Sequence, residues 1–200
     1  MDIGAILKSF IYLIASSLLY PVLFLLVIAT LWIMIFSGSF FAEWLERLRF
    51  TKYEPVQLPH IIRQGKDRSM FSHRVAHYTQ TLEALANKNE MTEPEVENIF
   101  QESTLRMWKS MDMLRIMVRL APGLGLIGTL IPMGTGLAAL GQGDMTKLST
   151  DLVIAFTTTV VGLAVGMLSF FFYTVKRRWV EEDIKHMELA TELLAGGERE

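Results

Sequence analysis

Three stretches of this chain contain no Asp, Glu, Lys, Arg or His: Ile11–Phe36, Leu120–Leu140 and Leu152–Val175. Each reaches the length of about 20 residues that a helix needs to cross a hydrocarbon core. A large soluble protein can bury such helices, but a chain of 200 residues has too little mass to enclose three of them. The first stretch is longer than the apolar core of a signal peptide, and no cleavage pattern follows it, so it reads as a retained membrane helix. The expected fold class is therefore all-α and integral to the membrane. It has three transmembrane helices, and the second and third extend as long helices into the cytoplasm.

Half of the chain is apolar and a fifth is charged, so the charges are confined to the intervening segments. A net charge of −2 offers nothing to a nucleic-acid partner. The absence of cysteine excludes disulfides, thiolate metal sites and cysteine nucleophiles. Of the 19 Lys and Arg residues, 12 lie between the first and second stretches and 5 follow the third. The positive-inside rule then places the N-terminus outside, residues 40–119 in the cytoplasm, the short link Gly141–Ser149 outside and the C-terminus in the cytoplasm. Four regions follow: 1–39 with the first transmembrane helix, 40–119 cytoplasmic and helical, 120–175 with the second and third transmembrane helices, and 176–200 a cytoplasmic helix and tail.

Phe40–Phe50 is amphipathic, and Trp44 with its arginines suits an interfacial anchor. Residues 51–60 carry two prolines and read as a linker. Phe71, Val75, Tyr78 and Leu82 recur at helical spacing within a predicted helix over Ser69–Lys88. Thr92 and Glu95 form a capping box with Pro94 in the first turn, and no breaker follows before Pro122. Ile99, Met107, Leu114 and Met117 share a face, which predicts one uninterrupted helix running into the second transmembrane stretch.

Within that stretch Gly123–Gly128 reads GLGLIG, a literal G-x-G-x-x-G. The dinucleotide fingerprint needs a preceding strand and an acidic residue about 20 positions later, and both are missing. Small residues that let membrane helices approach closely explain the glycines better. Gly125 and Gly128 in the second stretch, and Gly162 and Gly166 in the third, are the expected packing positions. Thr158, Gly162 and Gly166 are spaced by four. His73 and His77 are also four apart, but Arg74 stands where a zinc protease places its glutamate, and no third ligand is evident. No serine has a triad around it. No catalytic, metal or cofactor site is expected.

Thr129 and the run Thr157-Thr158-Thr159 place hydroxyls inside the apolar stretches. A membrane threonine commonly bonds the carbonyl one turn back. Three in succession point in different directions, so at least one faces another helix or a cavity. Asp151, just after Ser149, fits the first turn of the third helix, where its charge suits the dipole. A proton path needs a titratable group in the membrane. This chain has none at mid-depth, so a partner must bring it.

At these residues the chain resembles the MotA/TolQ/ExbB family of ion-driven motor subunits. APGLGLIGTL (Ala121–Leu130) is similar to the family's second-helix signature, and AFTTTVVGL (Ala155–Leu163) to its third-helix signature. The resemblance covers about residues 100–178 and implies a homopentamer around a dimer of a single-helix ExbD/TolR/MotB-like partner with a membrane aspartate. It also implies proton or sodium flow coupled to mechanical work at the inner (cytoplasmic) membrane. By resemblance Thr129 and Thr159 are pore-facing, with Thr158 beside them on the ion pathway. Two positions depart from the family pattern: Ile154 replaces a glutamate, and Pro132 replaces a glycine. The competing readings are a non-conducting membrane scaffold for a single-span partner and a small transporter. Transporters usually show broken helices or charges at the midplane.

Overall fold

The computed structural model describes residues 3–49, 72–86 and 93–195. All five elements in these residues are helices: α1 (Ile3–Arg49), α2 (His73–Ala86), α3 (Glu93–Lys109), α4 (Asp112–Leu140) and α5 (Met145–Ala195). Three helical stretches, Ser9–Leu48, Pro94–Leu140 and Met145–Leu193, are long and apolar enough to cross a membrane. The fold is an all-helical membrane protein. The proline-bearing linker, Phe71, Thr92 of the capping box and Gln64 lie outside the described residues.

Contacts divide the chain into two compact units, one of residues up to Gly38 with Met113–Phe172, the other of Ser39–Asp112 with Tyr173 onward. In the first unit, α1 buries one stripe, Val22, Leu26, Ala29 and Ile33, at intervals of three and four. Val22 and Leu26 cluster with Leu124 of α4, and Phe36 meets Phe172 at 5.8 Å between ring centroids. Between Ser9 and Gly38 the helix has no charged residue, and Phe10, Tyr20, Phe24, Leu31 and Ile35 are exposed. That pattern belongs to a helix surrounded by lipid or other apolar helices. Helix α4 buries Leu114, Met117, Ala121, Leu124, Gly125, Gly128, Pro132, Gly136 and Ala139. It remains one helix through Pro122 and Pro132.

The second unit has a core of Val75, Tyr78 and Leu82 from α2, Val96 and Met107 from α3, Met111, and Val180, Met187 and Ala190 from α5. The Tyr78 hydroxyl and the Thr191 hydroxyl are 2.6 Å apart. Buried Asp183 accepts a 2.7 Å hydrogen bond from Arg47, whose guanidinium also lies 5.0 Å from the centre of the Trp179 ring. Trp179 in turn stacks on Phe40 at 5.1 Å, and Arg74 pairs with Glu43 at 3.3 Å.

The uninterrupted helix expected from Thr92 into the membrane is broken at Ser110–Met111. The Ser110 hydroxyl donates to the Met107 carbonyl at 2.6 Å. The Ser110 amide is shared between the Arg106 and Met107 carbonyls at 3.2 Å each, and the Met111 amide tightens to a three-residue bond, to Trp108 at 3.0 Å. A side chain that occupies a backbone acceptor competes with the regular ladder, and the turn contracts to 3₁₀ geometry.

Candidate ion-pathway site between α4 and α5

The α4–α5 turn is short and fully hydrogen-bonded. The Asp144 amide bonds the Ala139 carbonyl at 3.0 Å and the Gly143 amide bonds that of Leu140 at 3.0 Å, the Schellman pattern. Gly143 has φ +81, which only a residue without Cβ adopts at little cost. Asp144 then caps α5, its Oδ1 accepting from the Lys147 amide at 2.9 Å. The helix therefore begins at Met145, and Asp151 is not in its first turn as the sequence had indicated. It lies nearly two turns in. The Ser149 hydroxyl bonds back to the Met145 carbonyl at 3.0 Å.

From this turn the two helices run back against each other along small residues. A Cβ built on Gly162 would lie 2.7 Å from the Gly125 Cα and 2.8 Å from the Ala121 carbonyl oxygen. On Gly166 it would lie 2.6 Å from the Pro122 ring, on Gly128 2.9 Å from the Thr158 Cβ, and on Gly125 3.0 Å from the Thr158 carbonyl oxygen. These four glycines thus line contacts within one chain. Gly123, the first glycine of GLGLIG, has open space where its Cβ would be, as has Gly134.

This close approach brings Thr129 of α4 and Thr159 of α5 together, so that their hydroxyls are in direct contact. The Thr129 hydroxyl also reaches the Gly125 carbonyl at 2.8 Å and the Ala155 carbonyl at 3.1 Å. Thr159 reaches the Ala155 carbonyl at 3.2 Å. Each hydroxyl has one hydrogen and two lone pairs. Two hydrogens are therefore shared among two carbonyls and the opposite hydroxyl, and several arrangements of nearly equal geometry satisfy the pair.

Thr158, also expected on the pathway, is buried against Gly128, with its hydroxyl on the Ala155 carbonyl at 2.9 Å. It packs the seam. Thr157 is exposed and bonds the Val153 carbonyl at 2.7 Å. A second polar pair had escaped notice: the Thr135 hydroxyl donates to Asp151 Oδ2 at 2.6 Å. Asp151, Ala155 and Thr159 are spaced by four, and that spacing is the signal that could have placed Asp151 on this face.

His73 and His77, with Arg74, Ser103 and Arg106, line a cavity of about 540 Å³ in the second unit. Among the described residues no three His, Cys, Asp or Glu side chains are grouped as a metal site would require.

No solved structure matches the chain. A biopolymer transport protein ExbB homologue of Methanothermobacter thermautotrophicus is 30% identical over 112 residues, 56% of this chain. The chain spans only 40% of that relative's length. The profile of the MotA/TolQ/ExbB proton channel family matches residues 64–189, which take in both hydroxyl-bearing helices and the glycine seam, and the chain belongs to that family.

Proposed function

We propose that the chain is the channel-wall subunit of an ion-driven motor. Five copies surround a dimer of an ExbD/TolR/MotB-like single-helix partner, and a membrane aspartate on the partner carries a proton or sodium ion past Thr129 and Thr159. The observation that carries this reading is the hydroxyl pair itself. It is held by a backbone-to-backbone glycine contact, within the family's two signature segments, at a depth where neither helix has a titratable group. A fixed charge there would be costly and would trap the partner's carboxylate. A hydroxyl can donate to that carboxylate or accept from its protonated form, and the pair can redistribute its hydrogens without moving the helices.

The wall is oriented with the Gly141–Asp144 turn outside and the basic segments in the cytoplasm of an inner-membrane complex. Thr159→Val keeps the shape and removes one hydroxyl. In right-side-out vesicles that contain the chain with its partner, it lowers ion uptake about tenfold, on the order of one hydrogen bond at the critical step. Native mass spectrometry of the same preparation returns a five-to-two assembly. Full uptake by both Thr129→Val and Thr159→Val in an intact assembly would instead favour the non-conducting scaffold.

A further inference from the structure

Between Asp112 and Glu181 the sequence has two acidic residues, Asp144 and Asp151. Asp144 is exposed in the turn and occupied as a helix cap. Asp151 is half-buried on the face that α5 presents to α4. A carboxylate on that face is costly to keep, and capping does not explain it, because α5 starts six residues earlier.

The surroundings of Asp151 form a track rather than an isolated contact. Thr135 holds Oδ2 at 2.6 Å. The same hydroxyl lies 3.1 Å from the Pro132 carbonyl, so its single hydrogen can turn from the carboxylate to the helix backbone when the carboxylate is neutralised. Gly136 leaves room for the aspartate: a Cβ there would lie 3.3 Å from the Asp151 Cβ. On α5 the Ala155 carbonyl, already shared by Thr129, Thr158 and Thr159, stands one turn from Asp151. Asp151 and Thr159 are two turns apart, about 12 Å along the helix. Oxygen atoms of both helices therefore mark the seam from the turn end inward: the Asp151 carboxylate, the Thr135 hydroxyl, the Ala155 carbonyl, then the paired hydroxyls.

We propose that Asp151, oriented by Thr135, is the carboxylate station at which a proton or small monovalent cation is taken up at the turn end of the α4–α5 seam before it reaches Thr129 and Thr159. The proposal rests on the channel reading above. A proton neutralises the carboxylate and is released to the next acceptor. A sodium ion is held by the carboxylate with hydroxyl and carbonyl oxygens, the hard donors it prefers. Thr135 is a positioning residue, since it acts through Asp151.

The test uses vesicles carrying the full complex, with uptake followed by a pH-sensitive dye in one arm and by radioactive sodium in the other, as a function of ion concentration. Asp151→Asn removes the charge but keeps an oxygen that accepts from Thr135. It raises the half-saturating ion concentration about tenfold or more, the loss of one charge-assisted contact, and lowers the rate of proton uptake, because an amide cannot take up and release a proton, while the unfolding midpoint stays near wild type. Asp151→Glu restores most of the affinity. Thr135→Val gives a smaller shift in the same direction, and Thr135→Ser restores it. The arm in which the shift appears identifies the ion. An unchanged half-saturation in Asp151→Asn, beside impaired Thr159→Val, overturns the carboxylate station and leaves the channel reading intact. A loss of assembly in both Asp151→Asn and Asp151→Glu makes the pair a structural staple and overturns the station as well. Wild-type vesicles that take up neither ion overturn both proposals.

Discussion

Gly162→Ala adds a single methyl group where α5 meets α4. Its carbon would lie 2.7 Å from the Gly125 Cα, 2.8 Å from the Ala121 oxygen and 3.0 Å from the Gly125 nitrogen. Carbon atoms rest at about 3.5 Å or more, so the closest contact is short by about 0.8 Å. All three neighbours are backbone, so no rotamer change relieves the overlap and the helices must separate. Overpacking of this kind costs about 1–3 kcal/mol. Alanine also favours a helix over glycine by roughly 0.5–1 kcal/mol, which blurs a comparison with wild type. Gly123→Ala is the proper reference, because nothing lies within 4 Å of its added carbon and the helix preference cancels. Equilibrium denaturation of the two purified variants in mild detergent should therefore differ by about 1–3 kcal/mol, with Gly162→Ala the weaker. Equal stability of the two, to within about 0.5 kcal/mol, would refute the backbone-contact argument.

Arg47→Met leaves the buried Asp183 carboxylate without its guanidinium partner and should cost about 3–5 kcal/mol in chemical denaturation. Replacing both residues by apolar ones should recover most of that loss. Burial holds the His186 pKa below its ordinary 6.5, against the opposing pull of Asp183 and Glu182. The unfolded chain then binds more protons than the folded one, so this contribution is present above pH 6.5 and lost as pH falls through the folded value. His186→Gln should flatten the slope of unfolding free energy in mildly acidic buffer. A cysteine at Gln142, in the exposed α4–α5 turn, should react with an impermeant thiol reagent added from outside intact cells, and one at Gln64 should not.

The three membrane helices were legible because a bilayer imposes length and apolarity on each segment separately, without reference to its neighbours. The stripe Val75, Tyr78 and Leu82 was legible for a similar reason, since one period fixes one face. The break after Lys109 was not. It turns on whether one serine hydroxyl takes a backbone acceptor, and serine in a helix can do either. Nor could the run of threonines be sorted, since successive residues point about 100° apart and only the position of Gly128 decides which one is packed. The Asp151 pairing depended on locating the start of α5: with the cap at Asp144, Asp151 falls in the second turn rather than the first. The Arg47–Asp183 pair joins residues 136 positions apart, and no local pattern announces it.

The α4–α5 turn also acts as a phase setting. Its hydrogen bonds close both helix ends over the few residues around Gly143 and leave no slack. One extra residue there would rotate everything after it by about 100° relative to α4, and would carry Thr159 away from Thr129 and Gly162 away from Gly125 together. Apart from Gly143 and Asp144, the identities of the exposed turn residues are free to vary, but their number is not. The length of a segment that touches neither threonine is, in this way, as much a determinant of the hydroxyl pair as the threonines themselves.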